Sequence, residues 1–155
     1  MAHKTTLDTF TCTACGHAFT ADDQPTICPK CRKSGGHRTI PSRKTLTLAR
    51  QNDSFRSGLV VGGCPLLGTV VVTSGVGDRG RDFQTNAYLA VAFDTDFSED
   101  NDPYGDHSFG TVTVQGERLY WKIDYYDADR EYGSDDPTDP ARTHRVLTIL
   151  FPSEY

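Results

Sequence analysis

No stretch of this sequence approaches the roughly 18 to 20 apolar residues that a membrane-spanning helix needs. Mean hydropathy is −0.51, and the opening MAHKTTLDTF has no apolar segment of the kind that marks a secretory signal. These absences predict a soluble, cytoplasmic chain without a membrane partner. In that compartment thiols stay reduced, and paired cysteines more often hold a metal than each other. Also missing are an internal repeat, a glycine loop to cradle phosphates, a nucleophile motif and a catalytic metal triad. At 155 residues the chain has room for one ordinary core, or a small module and a compact domain.

Charge is unevenly spread. Residues 1–60 carry nine Lys/Arg and four Asp/Glu, a net of +5, whereas residues 61–155 carry a net of −10. Such a division suits two surfaces with different partners, and solubility alone also produces it.

Four of the five cysteines, Cys12, Cys15, Cys28 and Cys31, follow the pattern C-x2-C-x12-C-x2-C. A two-residue spacer lets both thiolates of a pair face one point from a tight turn, and two such turns supply a tetrahedral four-sulfur set for Zn²⁺. Gly16, Pro29, Gly35 and Gly36 suit those turns. Residues 8–40 resemble a zinc ribbon, with iron in the same site as the alternative. Four thiolates close the coordination shell, so a bound zinc is expected to be structural. His17 and His37 are then surface or supporting residues. Cys64 stands alone, either as a small buried hydrophobe or as a nucleophile.

From 30 to 44 there is no acid, and Lys30, Arg32, Lys33, Arg38, Arg43 and Lys44 make a basic flank. That composition fits salt-dependent contact with phosphates; a solvated linker beside a ribbon docked on protein fits as well. Only Phe10 and Phe19 are at hand to stack on bases.

The remaining chain predicts a helix over 43–57, with Ser42 as N-cap and Gly58 just past its end. A strand over 68–76, a helix over 81–93, a hairpin over 109–127 turning at Gln115-Gly116, and a last strand over 144–151 follow. The fold class is therefore α+β: a small N-terminal ribbon, then a compact antiparallel or mixed sheet with two helices on one face. The divisions expected are ribbon 1–40, linker and helix 41–57, and acidic domain 58–155. In the hairpin's second strand, Leu119, Trp121, Ile123 and Tyr125 form the core face. Tyr120, Lys122, Asp124 and Tyr126 form the other, exposed or the floor of a site.

The strings NDSFR, DNDPYGDHSFG, WKIDYYD, DPTDP and RVLTILFPSEY, in that order over 52–155, resemble a small bacterial domain family of unknown function associated with plasmids and mobile elements. The resemblance implies a compact domain and a mobile-element setting; it carries no activity to transfer.

Two acidic segments remain. DTDFSEDNDPYGDH holds Asp94, Asp96, Glu99, Asp100, Asp102 and Asp106 without a base. Tyr104 and Thr111 occupy positions where an EF-hand needs oxygen ligands, which rejects that motif and leaves a looser cation site open. DYYDADREYGSDDPTDP holds Asp127, Asp129, Asp135 and Asp136 among seven acids. Together the two loops suit a continuous negative face that binds a protein or nucleoprotein partner by mimicking nucleic acid, or are ordinary solvated turns. A hydrolytic or nucleotide-processing site is the competing class, with His107 as base beside Asp102 or Asp106, close to Lys122 and Asp124. The reading preferred is a noncatalytic binding protein that regulates or inhibits through macromolecular contacts.

Overall fold

A computed structural model describes residues 7–155. The N-terminal module is an antiparallel hairpin, β1 (Asp8–Thr11) with β2 (Ala18–Ala21). Its small core is Phe10, Cys12, Cys28 and Ile40, with Phe19 and Ala21 against it. Two cysteines from the two halves of the module thus sit in one core with two large apolar side chains. β1 also pairs with the segment leading into the first helix: the amides of Thr11 and Thr13 donate to the carbonyls of Pro41 and Thr39.

Helix α1 (Arg43–Val61) starts as expected, with the Ser42 hydroxyl accepting from the Thr45 amide at 3.0 Å. It does not stop at Gly58. The helix ends one turn later at Gly62 (φ 76°), whose amide donates to the Gly58 carbonyl. Gly58 instead serves close packing, since a Cβ there would lie 2.7 Å from the Cβ of Cys64. The division expected between 57 and 58 thus falls inside α1.

The second layer is a four-stranded mixed sheet. β3 (Gly68–Val72), β4 (Phe109–Val114), β5 (Glu117–Tyr126) and β6 (His144–Leu150) lie in the order β3-β6-β5-β4, with only β3 parallel to its neighbour. A short helical turn, α2 (Ser74–Gly77), takes the last residues expected in β3, and α3 (Arg81–Ala92) follows. Gln115 and Gly116 turn the β4–β5 hairpin with φ of 50° and 80°, the left-handed pair a two-residue turn demands.

α1 and α3 cover one sheet face. Phe55, Phe83, Ala87 and Val91 meet Val112, Leu119, Trp121, Ile123, Leu147 and Ile149 in one cluster. Polar groups cross this layer as well. Arg145 is fully buried on β6 and donates to the side-chain oxygens of Asn52 and Gln51 on α1. Arg56 donates to the carbonyls of Val91 and Asp94 and lies over the Phe97 and Trp121 rings at 4.9 and 4.7 Å. These guanidinium groups fix how α1 sits on the sheet. Among the described residues, no helix is long and apolar enough to cross a membrane.

Candidate metal centre and the adjoining cleft

The two knuckles are built alike. The Gly16 amide donates to the Cys12 carbonyl and the Arg32 amide to the Cys28 carbonyl, with Gly16 at φ 74° and Arg32 at φ 65°. Each turn therefore needs a left-handed residue just after its second cysteine. Glycine supplies it in one; Arg32 accepts the strain in the other.

The four sulfurs converge within 4.8 Å of one another. Cys12–Cys31 and Cys15–Cys28 each stand 3.7 Å apart, far beyond the about 2.05 Å of a disulfide. A tetrahedral ion about 2.3 Å from each sulfur requires an edge of about 3.8 Å, so the spacing fits a metal clamp. The amide of Cys31, then that of Lys30, draws the Cys28 thiol down to about 6. At Cys31 the Lys33 amide pulls the same way, but burial and the neighbouring thiols prevail and push it up to about 11. The crowded sulfurs therefore do not all ionise together without a cation between them. His17 stacks on Phe19 and His37 meets the edge of Tyr104. Neither belongs to the sulfur cluster.

The basic flank divides in two. Lys30, Arg32 and Lys33 are exposed around the second knuckle and make no ion pair among the described residues. Arg38, by contrast, reaches across to donate to the carbonyl of Phe97 in the first acidic loop. Arg43 and Lys44 line a cavity of about 600 Å³ with Asp135 and Asp136 of the second. Arg38 thus ties the cysteine module to the first acidic loop, whereas Arg43 and Lys44, exposed on the first turn of α1, make no ion pair with Asp135 or Asp136.

The acidic loops are similarly occupied. Asp94 accepts from the Trp121 indole at 2.8 Å. Asp96, Asp106, Asp127 and Asp136 accept from backbone amides within their own turns, and the Thr138 hydroxyl is the chief reason the Asp136 pKa lies low. Such Asx turns explain the residue choice without a partner. Asp96, Glu99, Asp100, Asp129, Glu131 and Asp135 are the exposed ones.

His107 lies in a concavity of about 190 Å³ between the cysteine module and the domain, lined also by Thr13, His37, Arg38, Asp102 and Gly105. Its Nδ1 is 2.8 Å from Asp53 Oδ1, its ring is stacked on Phe97 with centroids 3.6 Å apart, and its backbone is left-handed at φ 56°. Asp102 is buried, with Oδ2 3.8 Å from His107 Nε2. Burial pushes the Asp102 pKa up, against the pull of His107. At Asp53 burial also acts upward, but hydrogen bonds from His107 and Arg56 prevail and lower its pKa. Asp106 turns to the Ser108 hydroxyl instead.

Lys122 and Asp124 do not join this group. They pair with each other at 2.9 Å, and strand alternation places them on the sheet face opposite Trp121. The residue missed from sequence is Asp53, 54 positions before His107. Asn52, Asp53 and Arg56 on the buried side of α1 were the available signal.

A search of the curated proteins and a search of the solved structures each find no match. Residues 72–154 match the family model described as "Protein of unknown function (DUF3768)", a span of just over half the chain. It takes in the acidic loops, Asp102 and His107, and leaves out the four cysteines and Asp53. By that match the chain belongs to the DUF3768 family.

Proposed function

We propose that the chain is a noncatalytic, cytoplasmic binding protein in which a structural zinc ion, held by Cys12, Cys15, Cys28 and Cys31, presents a basic knuckle to a polyanionic partner. The observation that carries this reading is the division of the basic flank. Arg38 is tied to the Phe97 carbonyl, and Arg43 and Lys44 stand beside Asp135 and Asp136 around one cavity, while Lys30, Arg32 and Lys33 are exposed around the metal turn with no acid beside them among the described residues. Zinc is the ion of choice because a closed four-thiolate tetrahedron is its common structural site. Nucleic acid, free or within a nucleoprotein complex, is the partner class that such a patch attracts. The solvent-facing acids Glu99, Asp100 and Asp129 suit contact with a protein of that complex. The resemblance to a mobile-element family makes interference with a host complex the natural setting.

The test is fluorescence anisotropy of a labelled DNA duplex with the zinc-loaded protein across a salt series. Three phosphate contacts predict an affinity that falls by about 40-fold between 50 and 200 mM salt. Lys30→Glu, Arg32→Glu and Lys33→Glu combined should abolish binding. Absence of binding at low salt, or binding indifferent to the triple substitution, removes the nucleic-acid reading.

The His107–Asp53 pair favours a second reading. A histidine 2.8 Å from a carboxylate in a concave site has the geometry of a general base and its orienting group. That reading is a hydrolytic or nucleotide-processing site in the cleft. Phosphodiester or nucleotide turnover that His107→Gln eliminates would support it over the noncatalytic one; no turnover in either protein would discard it.

A further inference from the structure

Asp102 presents an unusual combination. Its side chain is 2% exposed, and Oδ1 accepts only the long 3.2 Å hydrogen bond from the His107 amide. Oδ2 is buried without any hydrogen-bond partner. A carboxylate oxygen withdrawn from water and left unpaired is costly, and native proteins rarely keep one without a use. This one faces His107 Nε2 across 3.8 Å, at the wall of the cleft beneath the cysteine module.

The imidazole is equally committed. Phe97 fixes its plane, and Asp53 Oδ1 receives Nδ1–H, with Asp53 anchored in turn by Arg56 at 2.7 Å. With the proton on Nδ1, the neutral ring turns the lone pair of Nε2 toward Asp102. A carboxylate that fixes one ring nitrogen while the other is free is the arrangement found behind metal-bound histidines.

We propose that His107 Nε2 and Asp102 Oδ2 bind a divalent cation of the imidazole-and-carboxylate class, such as Mn²⁺, Fe²⁺ or Zn²⁺, with water in the remaining positions. The site is separate from the four-sulfur clamp and independent of the nucleic-acid reading. Two ligands about 2.1 Å from one ion, at angles between octahedral and tetrahedral, stand about 3.0 to 3.4 Å apart. The observed gap closes to that value with a movement of about half an ångström, within reach of rotating one carboxyl group. The cavity of about 190 Å³ has space for several waters at about 30 Å³ each. With two protein ligands the ion is exchangeable, unlike one held by four thiolates.

The competing explanation is a charged imidazolium between the Asp53 and Asp102 carboxylates, which would bind no metal. Titration of Mn²⁺ into full-length protein carrying one zinc, followed by electron paramagnetic resonance of free Mn²⁺, separates the two. The expected result is one Mn²⁺ per chain, with affinity at least about 10-fold lower in Asp102→Asn, in His107→Gln and in Asp53→Asn, and the zinc content still one. No Mn²⁺ uptake at millimolar concentration, or uptake indifferent to Asp102→Asn and His107→Gln, overturns the proposal. Should those variants not fold, Mn²⁺-induced broadening of the His107 ring resonances in the unaltered protein decides: broadening at low stoichiometry supports the site, and its absence removes it.

Discussion

Replacing Arg56 with methionine tests the physical account of how α1 is held. The Arg56 side chain is 3% exposed, and its guanidinium donates to two backbone carbonyls at 2.7 and 3.0 Å and to Asp53 Oδ1 at 2.7 Å. Methionine preserves much of the stem's apolar contact but leaves both carbonyls and the carboxylate without that donor. Each hydrogen bond from a charged donor contributes about 1.5 to 3 kcal/mol net. The Asp53 component is discounted because that side chain is 45% exposed. Stacking on Phe97 and Trp121 adds about 1 to 2 kcal/mol, and the cost of desolvating the arginine, regained on its removal, offsets part of the whole. The expected loss is about 3 to 5 kcal/mol, or a fall in Tm of about 10 °C or more for a chain of this size. Urea unfolding followed by the fluorescence of Trp121, the chain's single tryptophan and fully buried beneath Arg56, reads this directly. A loss below about 1 kcal/mol, the range of a surface pair, would refute the reasoning.

Other expectations follow from particular contacts. If the clamp holds zinc as proposed, Cys28→Ser should lower the metal content and unfold residues 7–40, because structural zinc commonly contributes about 10 kcal/mol or more to such modules; metal analysis and proton NMR of the protein check it. Gly110→Ala should destabilise by about 1 to 3 kcal/mol or more, since a Cβ there would sit 2.4 Å from the Trp121 indole nitrogen and 2.6 Å from Asp94 Oδ2; chemical unfolding measures it. The Glu154 carboxylate accepts from the Thr73 hydroxyl and from the Phe151 and Gly75 amides, which lower its pKa. A depressed folded pKa gives stability that is present above the unfolded value of about 4.3 and lost as pH falls through the folded value. Glu154→Gln should therefore flatten the acid limb of a Tm-against-pH curve; an unchanged slope would contradict the assignment.

Much of the architecture was legible because local rules and packing agree. Ser42 caps α1, Gln115-Gly116 makes its turn, and alternation along β5 correctly divides Trp121 from Lys122. Gly58 misled because glycine answers two demands, a left-handed helix end and a close approach, and only the position of Cys64 tells which applies. The clamp was legible because its ligands come in local pairs. The cleft was legible only in part: His107 and Asp102, neighbours in one loop, were paired from sequence, but Asp53 joins them from α1 and Phe97 from the start of that loop. Sequence spacing carries no mark of that convergence. Polar residues at the buried positions 52 and 56 broke the apolar pattern of α1, and that irregularity was the trace the cleft left in the sequence. The basic flank shows a further limit: composition reports a charge, but not whether it faces outward or the molecule's own loops.

The placement of β6 between β3 and β5 has a consequence for how the molecule assembles. β3 finds its neighbour 77 positions along the chain, whereas the β4–β5 hairpin and the metal knuckles close from nearby residues. These local units can form early, yet the sheet cannot be joined until the strand made last slips into its middle. Closure of that long loop, rather than any single contact, should limit the folding rate. Until then β3 and β5 expose unpaired backbone, and the protein depends on shielding from other chains during that interval.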